Sequence, residues 1–199
     1  MVWHNDGVDA DLADTSSALT SRPGNKMLRD ATPADFSQIL ELNEAFVAVL
    51  SPLDHARLAT LHAAAASHRV IENDGRVEAF LLAFREGADH DGANYHWFAE
   101  RYPRFMYVDR IVVSATGQAG GCGRRLYDDI GARAAQGGVR LITCEYDIEP
   151  PNPSSARFHD RLGFREVGRR QIDGSSKMVS MQVLEMAFDR SPGGETGAA

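Results

Sequence analysis

Apolar positions along this chain recur with two periods, and they alternate in blocks. From residue 26 a short strand, KMLRD, gives way to TPADF, where Thr32 offers a helix N-cap and Pro33 the first helical position. Phe36, Ile39, Leu40, Ala45 and Phe46 then fall at helical spacing, predicting a helix over 33–48, and a second helix is expected over 52–66. HRVIE and RVEAFLLAF read as strands joined by Asn73-Asp74-Gly75, a turn that tolerates positive backbone angles and so predicts a hairpin. A long connection, 87–101, holds NYHWFAERYP, with room for a short helix that Pro103 ends. The rest reads as a strand over 105–113, a helix over 121–136, a strand over 139–147, a helix over 153–162 and strands near 164–170 and 178–188. This is a layered α/β arrangement with mixed strand direction.

Residues 1–25 and 189–199 lack any such pattern and are expected to be disordered tails around one domain spanning 26–188. The net charge of -7 argues against a nucleic-acid-binding surface and mildly favours cationic partners such as amines. Two cysteines, Cys122 and Cys144, give neither a disulfide framework nor a zinc spacing. The acidic N-terminal segment is unlike a signal peptide, and no apolar run reaches the ~20 residues a bilayer demands. A soluble cytoplasmic protein, with no nucleic-acid or membrane partner, is the expectation. His90 and His96 beside Asp89 and Asp91 match no metal template and are read as solvated loop residues, so no metal is expected.

The chemistry is concentrated in GQAGGCGRRLY, 117–127, which follows the apolar strand DRIVV and opens a helix. Glycine costs order wherever the chain is fixed, so its density here asks for a reason. A helix N-terminus exposes unpaired amides and a partial positive charge, and side-chain-free residues let a phosphate approach them. An ordinary connecting loop is the other reading of the glycines. The Walker spacing fails, because Cys122 stands where its second glycine belongs, and the dinucleotide pattern fails at Leu126.

What fits is Gln118-x-x-Gly121-x-Gly123 after a strand, which resembles the acyl-coenzyme A loop of the GNAT superfamily of N-acyltransferases. NPSSARFHDRLGF, from Asn152, resembles a second motif of that superfamily, with Ser155, Gly163 and Phe164 at matching places. The resemblance covers 26–188, is strongest over 107–164, and is most like bacterial acetyltransferases with a YVDRIVV strand and a PPNP turn. It implies a mostly antiparallel sheet of about 6–7 strands, helices on both faces and one central parallel pair that splays apart. It further implies that main-chain groups of Ile111, Val112 and Val113 bind the pantetheine arm. The amides of Gln118, Ala119, Gly120, Gly121, Cys122, Gly123 and Arg124 would hold the pyrophosphate, with strand amides near Val112 meeting the oxyanion.

Asn152 and Ser155 are expected to touch the cofactor, although an N-cap before Pro153 explains Asn152 equally well. His159 stands where the superfamily often has a tyrosine acid, so it is a candidate acid, with a structural histidine as the alternative. An amine arrives protonated and needs a base. Asp109 on the first strand and Glu145 or Asp147 at the end of the second are the candidates, Asp109 and Glu145 being preferred, and simple alternation would place Asp109 on the face of Tyr107, Ile111 and Val113. Tyr95, His96, Trp97, Phe98 and Tyr102 either wall the acceptor pocket or pack the long connection. The expected activity is direct transfer of an acyl group, expected to be acetyl from acetyl-CoA, to a small-molecule or peptide amine. A catalytically silent acyl-CoA sensor is the alternative, and a homodimer is left open.

Overall fold

The computed structural model describes residues 26–46 and 52–186. Both expected tails, and the expected end of the first helix at 47–48, lie outside the described residues. The elements run β1 (Lys26–Asp30), α1 (Phe36–Glu44), α2 (His55–Ala64), β2 (Ser67–Asn73), β3 (Arg76–Arg85), α3 (Ala93–Ala99) and β4 (Met106–Val113). They continue with α4 (Ala115–Ala119), α5 (Cys122–Gln136), β5 (Leu141–Glu149), α6 (Pro153–Leu162), β6 (Arg165–Gln171) and β7 (Met178–Glu185). A single 3-10 turn, Pro33–Asp35, precedes α1. It is anchored by Asp35, whose Oδ2 accepts from the Thr32 amide at 2.8 Å.

Seven strands form one sheet in the order β1-β2-β3-β4-β5-β7-β6, antiparallel throughout except between β4 and β5. The β2–β3 hairpin turns through Asp74 (φ 49°) and Gly75 (φ 80°), the left-handed pair that the sequence asks for there. On one face, α5 packs Leu126, Tyr127, Ile130 and Ala134 against Leu81, Val108, Ile111 and Ile142 of the sheet. On the other, Phe36 and Ile39 of α1 and Leu58 of α2 meet Phe80 and Val112, and Tyr95 and Phe98 of α3 meet Phe84, Tyr107 and Met181. Each such large apolar side chain contributes roughly 1.5–3 kcal/mol on burial.

Two features of β4 make the site. It pairs with β5 only at Met106↔Ile142 and Tyr107↔Thr143, so the parallel strands part company beyond that point. Opposite β3, the register jumps from Ala83↔Val108 to Leu82↔Arg110, leaving Asp109 as the extra residue of a β-bulge. A bulge bends and twists the strand that carries it, and here it comes just where β4 leaves β5. It also reverses the phase of alternation. Tyr107 points to the α3 side, whereas Ile111 and Val113 pack on the α5 side. The expected sharing of one face by Asp109, Tyr107, Ile111 and Val113 is therefore corrected: one inserted residue has moved the second half of the set to the opposite face.

Candidate active site

Two clefts flank the region of the splayed strands. On the α1–α3 side lies a cleft of about 630 Å³, where Asp109 and Tyr107 of β4 meet Glu145 and Asp147 of β5, with Asn94 of α3 and Arg170 of β6 above them. On the α5–α6 side lies a second cleft of about 480 Å³, between the α4–α5 junction (Gln118, Gly121, Arg124) and α6 (Arg157, Phe158, Arg161).

In the first cleft the two expected bases stand in different surroundings. Asp109 Oδ1 lies 3.1 Å from His90 Nε2, and its Oδ2 lies 3.3 Å from Arg110 Nε. His90 Nδ1 accepts from the Gly92 amide at 2.9 Å, so its proton sits on Nε2 and is donated to Asp109. Burial alone would raise the Asp109 pKa, but the His90 hydrogen bond and the Arg110 charge outweigh it and hold the carboxyl below its ordinary value. Asp109 is thus a fixed negative charge. His90 was expected in solvent; instead its ring is buried against Phe84, Tyr95 and Tyr107. Gly92 is what allows this, since a Cβ there would stand 2.6 Å from His90 Cε1.

Among the described residues Glu145 has no such cation at ion-pair distance. Its Oε1 accepts from Asn94 Nδ2 and from the Tyr107 hydroxyl, each at 2.9 Å, while Oε2 is buried with no hydrogen-bond partner. Burial dominates and, with Asp109 nearby, pushes its pKa to about 7 against the pull of the Asn94 and Tyr107 hydrogen bonds. Every other carboxylate lining the cleft has a cation: Asp109 has Arg110, Asp147 has Lys177 at 3.7 Å, and Asp173 has Arg170. Asn94 is held in orientation, because its Oδ1 accepts from Arg170 Nη1 at 3.0 Å and so turns Nδ2 to Glu145.

His159 lies elsewhere. Its ring is 0% exposed and pressed between Tyr146, Tyr127, Phe158 and Phe164. Nδ1 donates to the Ser155 carbonyl at 2.7 Å and Nε2 accepts from the Tyr127 hydroxyl at 3.0 Å. Burial lowers its pKa to about 3. The expected acid role finds no geometric support, because the one proton of this neutral, buried imidazole is committed to the Ser155 carbonyl and its other nitrogen to the Tyr127 hydroxyl. Asn152 and Ser155 join the same local network: Asn152 Oδ1 caps α6 by accepting from the Ser155 amide at 3.0 Å, and Ser155 is fully buried.

The glycine loop is more ordered than the sequence suggested. Residues 115–119 coil into α4, capped by Ser114 Oγ on the Gly117 amide at 3.0 Å. A Cβ on Gly117 would meet Val113 Cγ1 at 2.9 Å and the Glu78 carbonyl at 3.0 Å, so this glycine serves close packing. Gly121, at φ 69°, turns the chain from α4 into α5. The Gln118, Gly120 and Gly121 amides are taken up by the carbonyls of Ser114, Thr116 and Gln118. Those of Cys122, Gly123 and Arg124 form the first turn of α5, whose first backbone bond from this end is Arg125 to Gly121, and they make no backbone bond among the described residues. Of the amides of 118–124, those of 122–124 are the ones left without a backbone partner among the described residues. Cys122 Sγ is buried and its pKa raised by that burial, which keeps it a neutral thiol.

Along β4 the Ser114 amide donates to Glu78 of β3, and successive residues of a strand face opposite edges. Val112 therefore bonds toward β3, while the main-chain groups of Ile111 and Val113 face the gap. The Gln118 side chain confirms the second, donating to the Val113 carbonyl at 3.1 Å.

The family model of the acetyltransferase (GNAT) family matches residues 34–164, which span the splayed strands, the glycine loop and α6. The chain belongs to the GNAT acetyltransferase family. Its reaction is transfer of an acyl group from acyl-CoA to an amine. Solved structures agree on the GNAT fold: Ard1 of Thermoplasma volcanium superposes with a TM-score of 0.67 at 14% identity, covering 82% of this chain and 99% of its own. The yncA protein of Salmonella typhimurium, crystallised with its cofactor acetyl-CoA, gives 0.62 at 19% identity over 85% and 98%. The ribosomal-protein-S18-alanine N-acetyltransferase of Escherichia coli gives 0.61 at 14% over 87% and 99%. No curated protein matches the chain.

Sequence reasoning missed Asn94, His90 and the Tyr107 hydroxyl as parts of this GNAT site. The aromatic run around Asn94 was the available signal, yet Tyr95 and Phe98 are core and Trp97 packs on Gly168. Among the described residues no helix is long and apolar enough to cross a membrane, and no group of three or more candidate ligands gathers for a metal.

Proposed function

We propose that this protein acetylates a small-molecule or peptide amine in a ternary complex, with Glu145 as the general base. The acceptor enters the 630 Å³ cleft as an ammonium and meets the fixed charge of Asp109 and the Glu145 carboxyl. Glu145 Oε2 takes one proton, and the neutral amine attacks the thioester carbonyl across the gap between β4 and β5. The Ile111 amide, on the gap edge beside the bulge, donates to the oxyanion that forms. As the C–S bond breaks, the departing thiolate takes the second proton from the new amide nitrogen. No side-chain acid is needed, since a thiolate whose conjugate thiol has a pKa of about 8.5 takes up a proton at neutral pH. Acetyl-CoA is held by the Ile111 and Val113 main-chain groups along its pantetheine arm and by the Cys122–Arg124 amides at its diphosphate.

A single observation carries this reading: among the described residues Glu145 is the one carboxylate of the cleft with no cation at ion-pair distance, with a pKa of about 7 and an oxygen without a hydrogen-bond partner, beside the mouth of the splay. A base poised at neutral pH is what amine activation requires. The test is thiol release from acetyl-CoA across a panel of amines, amino acids and peptides. Turnover lost in Glu145→Gln, with coenzyme A affinity kept, is the expected result; no turnover with any acceptor by a folded protein sinks the proposal.

A further inference from the structure

The α6 wall of the second cleft carries Arg157 and Arg161, one helical turn apart on the same face. Like charges at this spacing destabilise a helix by about 0.2–0.5 kcal/mol, and an ordinary solvated helix offsets them with acids. Among the described residues neither arginine has a carboxylate within ion-pair distance. Arg157 Nη2 donates only to Ser154 Oγ at 3.4 Å, and Arg161 Nε only to the Arg157 carbonyl at 3.2 Å. Arg124 faces them from α5, loosely paired with Asp128 at 3.5 Å and largely exposed. Three guanidiniums thus converge on one cleft of a chain whose net charge is -7. Phe158 and Leu162 give that cleft apolar lining between its cationic walls. An amphipathic polyanion, such as a nucleotide, matches that lining.

The three α5 amides without a backbone partner, those of Cys122, Gly123 and Arg124, suffice for a diphosphate, whose two phosphates each carry about one charge. The surplus of cationic groups on α6 calls for a further, more highly charged anion. A phosphomonoester carries nearly two charges near pH 7, and its oxygens suit the forked donors of arginine. Resting on the acyl-CoA reading above, we propose that Arg157 and Arg161, with Arg124, form a phosphomonoester subsite for the ribose 3′-phosphate of the co-substrate. The protein then distinguishes coenzyme A from its 3′-dephospho form. The subsite lies on the face of the sheet opposite Glu145, so it governs co-substrate affinity and leaves the acceptor chemistry alone.

Calorimetry of the full chain with coenzyme A and with 3′-dephospho-coenzyme A tests this. Wild type is expected to bind the dephospho form on the order of tenfold more weakly, a charge-assisted contact's worth, with the gap shrinking as salt is raised. The double variant Arg157→Gln/Arg161→Gln, both exposed and so tolerated by the fold, is expected to lose that factor for coenzyme A and nothing for the dephospho form. Equal binding of the two ligands by wild type overturns the subsite while leaving the acyl-CoA reading intact. Discrimination that survives in the double variant overturns the assignment to these arginines. Binding of neither ligand overturns the acyl-CoA reading itself.

Discussion

Replacing Glu145 with glutamine is expected to do two opposite things at once, and their pH dependence is fixed by the surroundings of the carboxyl. Glutamine keeps the shape and keeps an oxygen for Asn94 and Tyr107 to donate to, but it carries no charge. In the wild type the folded-state pKa of about 7 stands above the ordinary 4.5, which means that folding disfavours the ionised form. The stabilising contribution of a protonated Glu145 is complete below 4.5 and is lost as pH rises toward 7. At 1.36 kcal/mol per unit, the loss is at most about 3 kcal/mol, reduced by whatever water reaches the carboxyl. Glu145→Gln should therefore match the wild type near pH 4.5 and exceed it by up to about 3 kcal/mol above pH 7.5. Its kcat should fall by about 10²–10⁴, the usual worth of a general base. Urea unfolding of both proteins from pH 4.5 to 8.5, with parallel turnover measurements, reads both effects. A stability difference that does not vary with pH would refute the argument that Glu145 is ionised at a cost; such a carboxyl would not be a base tuned to neutral pH.

Three further outcomes follow from the same geometry. Asn94→Ala removes a donor that favours ionised Glu145, so the rising limb of the kcat/KM profile is expected to move to higher pH by up to about one unit, checked by profiles at saturating co-substrate. His159→Phe keeps a ring in the site but leaves the Ser155 carbonyl and Tyr127 hydroxyl without the imidazole as a partner, and should cost about 1–3 kcal/mol by chemical denaturation, yet leave the pH profile of the folded enzyme in place; a profile that loses its alkaline limb would restore the acid role. His68, lowered to about 4 by burial and by the charge of His62, and His159, lowered to about 3 by burial, both favour the folded state only when neutral. Stability is thus expected to fall as pH drops below 6.5 and to keep falling to about 3, a loss visible as a declining urea midpoint that His68→Gln makes shallower.

Much of this protein is written in short stretches of its chain. The order of strands and helices follows from periodicity because local backbone preference and the face to be buried agree in nearly every segment. Asp74-Gly75 specifies its hairpin turn through dihedral angles alone, and Gly121 likewise ends one helix and starts the next. The motif from Gln118 to Gly123 identified the family because the packing of amides at a helix start is a local property. Asp109 and Glu145 were recognisable as acids in apolar strands. What distinguishes them was not legible. The bulge that reverses β4 depends on how many residues β3 offers opposite it, and no count within β4 contains that number. The tuning of Glu145 depends on Asn94 and Tyr107, 51 and 38 residues away, and on the water that the surrounding elements exclude. His159 is held neutral by a burial that only the tertiary fold supplies. Backbone geometry is a short-range matter and the sequence carries it; desolvation and charge pairing act through space, so the folded structure decided which acid is fixed and which is free to take a proton.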